Sequence, residues 1–134
     1  MINQLFGDIQ QHLSMLELAL KSSEQIKNHA AREELEAVVS ETENRERIIN
    51  VVAELQRKIE NSINVIDASL VTAEDINILK SWFSDLGVWS EKMLALDRET
   101  VELLGQQKDN TTKEIAMIFK NKEVFKGYNH GLKK

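Results

Sequence analysis

From Ile48 to Leu104 apolar side chains recur at spacings of three and four, and no proline occurs anywhere in the chain. That rhythm predicts long amphipathic helices, each of which must bury one stripe. The clearest ladder is Ile48, Val52, Leu55, Ile59, Ser62 and Ile66, a heptad pattern flanked by Ile49, Ile63 and Leu70. A second helix end is expected near Leu70, followed by a capping-box start at Thr72-Ala73-Glu74-Asp75 with Thr72 as N-cap. The helix after it carries Ile76, Leu79, Trp82, Phe83, Leu86, Trp89, Met93, Leu96, Leu103 and Leu104, and from Ala73 to Gly105 it spans roughly 50 Å at about 1.5 Å per residue. The short connection makes these two helices antiparallel neighbours.

Ahead of them, a helix is expected over about Asn3–Lys27, with Leu5, Ile9, Leu13, Leu16 and Leu20 on one face and Phe6 beside them. Polarity rises at Lys27-Asn28-His29, where a bend or short break is expected, and Ala31–Glu43 is rich in helix formers but thin in apolar residues. The pairs Glu41–Arg45, Glu43–Arg47 and Glu54–Lys58 read as supports of an outer face. Beyond Gly105 the run to Asn110 has no apolar residue, and Thr111-Thr112-Lys113-Glu114 repeats the capping pattern. Two readings stand: a continuous or kinked third helix, or a fourth helix from Thr111 to about Lys126, with Gly127 as its stop. The fold class is all-α, an elongated antiparallel bundle or hairpin of three to four long helices. One domain is expected over residues 1–128, with a flexible tail at 129–134.

Composition sharpens this picture. Hydrophobic residues make up 42% of the 134 and charged residues 29%, which suits narrow stripes with broad solvated faces. The absence of cysteine excludes disulfides and thiolate chemistry in this chain. No signal-peptide pattern or membrane-length apolar run is visible, so the expected location is cytoplasmic, without stable membrane insertion. The charge is uneven: residues 1–112 hold 20 acidic against 11 basic side chains, a net −9, whereas residues 113–134 hold six lysines against Glu114 and Glu123. An acidic body argues against nucleic acid as a partner.

The chemistry-bearing residues do not converge. His12, His29 and His130 form neither a Glu-x-x-His nor a His-x-x-x-His motif and read as helix-boundary or surface histidines, so no metal is expected. The carboxylates at Glu33, Glu34, Glu36, Glu41, Glu43 and Glu46 read as a solvated face rather than a catalytic pair. No glycine-rich phosphate loop occurs, no cofactor is implied, and the chain does not read as an enzyme.

Two features read as binding surface. Trp82 and Trp89 lie seven apart, with Phe83, Leu86 and Met93 alongside, which fits either core packing or the wall of a groove. Ile115, Ile118, Phe119, Phe125 and Tyr128 interleave with Lys113, Lys120, Lys122 and Lys126 as a basic amphipathic segment that packs on its own bundle or meets a partner. The residues assigned to a partner surface are Trp89, Met93, Leu96, Ile115, Ile118, Phe119, Phe125 and Tyr128.

Three stretches carry a family resemblance: Glu34-Leu35-Glu36-Ala37 leading into Glu43-Asn44-Arg45-Glu46-Arg47-Ile48-Ile49; Leu103-Leu104-Gly105-Gln106-Gln107-Lys108 closing the long helix; and the ending Lys120-Asn121-Lys122-Glu123-Val124-Phe125-Lys126-Gly127-Tyr128. Together they resemble flagellar export chaperones of the FlgN/FliT type, with the subtype left open by the polar run from Gln106 to Asn110. The resemblance implies a cytoplasmic protein that masks helical ends of hook–filament junction proteins or the filament cap protein. It would then present them to the export ATPase or gate components of the type III apparatus. Physically that is helix-in-groove recognition. Two other roles are compatible with the pattern: a structural or adaptor coiled-coil homodimer without chaperone activity, favoured by the heptads, and a regulator that sequesters a transcription activator.

Overall fold

The computed structural model describes residues 2–106 and Met117. It shows the all-α architecture expected from the apolar rhythm. Three long helices, α1 (Ile2–Ala31), α2 (Leu35–Val65) and α3 (Ala73–Gly105), follow one another, with a 3-10 turn at Ala68–Leu70 between the last two. Contacts set the directions. Asp8 meets Lys58 and Ser22 meets Glu41, so α1 and α2 run antiparallel. His12 meets Trp82 and Ser23 meets Met93, so α1 and α3 run parallel.

The first break falls later than the polarity at Lys27–His29 suggests. α1 continues to Ala31 and closes with the amide of Glu34 donating to the His29 carbonyl at 2.9 Å and that of Glu33 to Ala30 at 3.1 Å, a Schellman arrangement. Glu33 takes the left-handed position, with φ 59°, a place more often held by glycine. The helix formers of Ala31–Glu43 therefore belong mostly to the first turns of α2. α2 in turn ends at Val65, five residues before Leu70. Asp67 starts the 3-10 turn there by accepting from the Ser69 amide at 3.0 Å. Thr72 caps α3 as its sequence predicts, with reciprocal 3.1 Å bonds between Thr72 and Asp75 completing a capping box.

The main core joins one stripe from each helix: Leu5, Ile9, Leu16 and Ala19 of α1, Ile49, Val52 and Ile59 of α2, and Trp82, Leu86, Trp89 and Met93 of α3. A smaller cluster of Ile26, Ala30, Val38 and Leu104 closes the other end. Each fully buried branched or aromatic side chain contributes about 1.5–3 kcal/mol of transfer free energy. α1 is the central element. It packs closely on both others, whereas no Cα of α2 comes within 8 Å of one of α3. The short connection thus makes α2 and α3 antiparallel, but not the close neighbours that connection length alone implies.

Across that wider gap runs a buried ion pair. Arg45 of α2 forks onto Asp97 of α3, Nη1 to Oδ1 and Nη2 to Oδ2, the second at 2.8 Å, with the two side chains 0% and 3% exposed. Arg45 is therefore an interior residue, not the outer-face partner of Glu41. Lys58 likewise reaches Asp8 of α1 at 3.5 Å. The expected polar interruption after Gln106, the possible fourth helix at Thr111–Lys126, its stop at Gly127 and the tail at 129–134 lie outside the described residues.

Candidate partner-binding groove

The splay of α2 from α3 leaves a cleft on the side of the bundle away from α1. Gln56, Glu60, Ile63 and Asn64 form its α2 wall, and Trp82, Phe83 and Leu86 its α3 wall. The arrangement follows from helical periodicity. Trp82, Leu86, Trp89 and Met93 point at α1, so Phe83, one position on from Trp82, is rotated out of the core toward α2. Phe83 is 48% exposed, and Ile76, seven residues earlier on the same flank, is 44% exposed. From Glu60 to Ser81 no residue is buried, so the strip continues along α3 to its start.

A buried polar pair fixes the floor of the cleft. The Trp82 indole N–H donates to His12 Nδ1 at 3.1 Å, and the two rings meet edge to face at 5.6 Å. Indole nitrogen only donates, so Nδ1 is the accepting nitrogen and the imidazole proton sits on Nε2. That Nε2 is buried and has no hydrogen-bond partner. Burial pushes the imidazole down to about 4, with Glu60 pulling weakly in the other direction. His12 is thus a neutral interior group, not a surface histidine, and its accepting nitrogen is committed to Trp82.

The cleft holds about 200 Å³. That is below the range usual for small-molecule sites, and it is the size of one large side chain. A second cleft of about 350 Å³ lies between α1 and α3, lined by Leu13, Leu16, Leu20, Val88 and Trp89 together with the charged Glu17, Asp85 and Lys92. Among the described residues no group of three or more His, Cys, Asp or Glu is placed to hold a metal, and no helix is long and apolar enough to cross a membrane.

The residues assigned to a partner surface from sequence separate. Met93 is fully buried and its sulfur accepts from Ser23 Oγ at 3.3 Å, which makes it a core residue and removes it from any surface. Trp89 is 5% exposed, and its indole N–H is tied to the Leu16 carbonyl at 2.8 Å; only its edge lines the α1–α3 cleft. Leu96 is half-buried. Ile115, Ile118, Phe119, Phe125 and Tyr128 lie outside the described residues. Exposed apolar side chains are spread over the described residues, among them Leu18, Val65, Leu70 and Val88. Those at the α2–α3 cleft are Phe83 and the half-buried Ile63, neither of which the sequence reading assigned to a partner surface, although it named Phe83 beside the tryptophans. The signal for Phe83 was the Ile76–Phe83 repeat one position off the tryptophan stripe. Compared with family models, curated proteins and solved structures, the chain matches none.

Proposed function

We propose that this chain is a helix-binding escort of the flagellar export chaperone kind. It receives an amphipathic helix of a hook–filament junction or filament cap protein in the α2–α3 groove. The observation that carries this reading is the gap between α2 and α3. No Cα of α2 comes within 8 Å of one of α3 while the wall residues Phe83 and Ile63 remain partly exposed, which supports placing the client helix along this cleft. Helix-in-groove binding of this type reads apolar anchors at spacings of three and four, and masking them keeps a client from assembling early. Client release needs limited affinity, with Kd on the order of 1 μM, about 8 kcal/mol.

The reading places the client on Phe83, Ile63, Ile76 and the rim of Trp82, in place of Trp89 and Met93. Calorimetry with the purified chain and C-terminal segments of junction and cap proteins tests it. Micromolar binding of one client class is expected, weakened at least about tenfold in Phe83→Asp, with the circular dichroism spectrum unchanged. Failure of both client classes to bind, or full affinity in Phe83→Asp and Ile63→Asp alike, overturns it.

A further inference from the structure

The gap between α2 and α3 is open at one end and closed at the other. Phe83, Ser90 and Asp97 follow one another at seven-residue spacing, so they lie along one flank of α3, the flank turned toward α2. Phe83 is 48% exposed, whereas Ser90 is 0% and Asp97 3% exposed. On α2, Thr42 and Arg45 are buried at the Asp97 end, while Asn64 and Val65 at the Phe83 end are exposed. Arg45 reaches across to Asp97, but no Cα of α2 comes within 8 Å of one of α3 at any level. The Ser90 hydroxyl has no hydrogen-bond partner among the described residues, and a buried hydroxyl without one calls for a reason. A side chain as short as serine, facing a gap of that width, is shut off from water where a further element lies over it.

The chain's own continuation has the length, the pattern and the charge for that place. α3 ends at Gly105, and the polar run from Gln106 to Asn110 follows it. As a helix, residues 111–126 measure about 24 Å at about 1.5 Å per residue. Turned back along α3 from its end, that length reaches the level of Trp89 and Ser90 and stops short of Phe83, which is where burial gives way to exposure. Ile115, Ile118 and Phe119 share one face at helical spacing. The half-buried Leu94 and Val101, on the same flank of α3 as Ser90, offer that face an apolar seat. Met117, two positions from both Ile115 and Phe119, belongs to the opposite face, and it is helical and 63% exposed. The six lysines of residues 113–134 complement a body that carries a net −9 over residues 1–112.

We infer that residues 111–126 fold back as a fourth helix, antiparallel to α3, and dock over the Arg45–Asp97 end of the α2–α3 gap of the same molecule. The segment closes the bundle there and leaves the Phe83–Ile63 cleft as the part of the gap open to a partner. The inference goes beyond the export reading and does not depend on it, so its test is separate from the client titration.

The chain has no cysteine, so a single introduced thiol reports on the cover. In the full chain, Ser90→Cys is expected to react slowly with a maleimide, and at least about tenfold faster once Ile118→Asp and Phe119→Asp are added. Ala19→Cys, at a fully buried position of the main core, is expected to stay slow in both backgrounds, which marks the three-helix body as intact. Equal rates for Ser90→Cys in the two backgrounds overturn the inference, because α1, α2 and α3 then shield the serine by themselves. Amide exchange of the unsubstituted chain tests the same point without a variant. Protection over residues 115–126 is expected, and exchange there as fast as in an unfolded chain overturns the inference. Protection that fades on dilution, together with a dimer by light scattering, gives the cover to a second copy and overturns it as well.

Discussion

Arg45 and Asp97 are buried across the gap between α2 and α3, where each compensates the charge of the other. The planar guanidinium and the carboxylate meet in a bidentate fork, which suits arginine and not lysine. Removing one partner leaves a buried charge uncompensated, so Arg45→Ala is expected to lower stability by about 3–5 kcal/mol in urea unfolding. Replacing both, as in Arg45→Met with Asp97→Leu, is expected to cost much less, because neither charge is then stranded. His12 makes a second residue-scale prediction. Its folded-state value near 4 lies below the unfolded 6.5, so between those values the unfolded chain takes up a proton that the folded chain refuses. Stability therefore holds above pH 6.5 and falls as the pH drops from 6.5 to about 4, by at most roughly 3 kcal/mol from this group. Denaturant titrations across that window should show the loss in the unsubstituted chain and a shallower slope in His12→Asn.

At the scale of elements, the boundaries explain what sequence reveals and what it hides. The start of α3 was legible because Thr72 and Asp75 satisfy each other's backbone groups locally, a signal contained in four residues. The end of α1 was not, because Glu33 fills a left-handed position without the glycine that usually marks it. The end of α2 was misplaced because the apolar ladder continues through Ile66 and Leu70, while Asp67 has already diverted the backbone into a 3-10 turn. Which flank of α3 stays open was equally hidden. Periodicity puts Trp82, Trp89 and Met93 on one face, but only the packing of α1 against that face decides that it is interior and that Phe83 is not. Two substitutions probe these elements. Glu33→Gly relieves a left-handed non-glycine residue and is expected to stabilise by up to about 1 kcal/mol, partly offset by the freer unfolded chain. Gly87→Ala adds a methyl that meets nothing within 4 Å and is expected to stabilise α3 by about 0.5–1 kcal/mol. Thermal melts followed by circular dichroism read both, and a lowered midpoint in either case contradicts the local account.

For the whole molecule, the described helices leave a cleft open between α2 and α3, and a helix that filled it would couple to folding. A helix that binds only the folded chain stabilises it by about 2.7 kcal/mol when supplied at 100 times its Kd. A helical peptide from the proposed client should accordingly raise the melting midpoint in a concentration-dependent way, and should leave that of Phe83→Asp unmoved. A midpoint indifferent to peptide in the unsubstituted chain would contradict an open lane.

The Arg45–Asp97 fork acts at this scale too. α1 serves as the spine of an open book, α2 and α3 are its covers, and the fork is a clasp set near the end where α2 begins. Phe83 and Ile63 lie toward the opposite margin of those covers. Shortening or releasing that clasp is expected to change how far the covers part while leaving every residue on their pages unaltered.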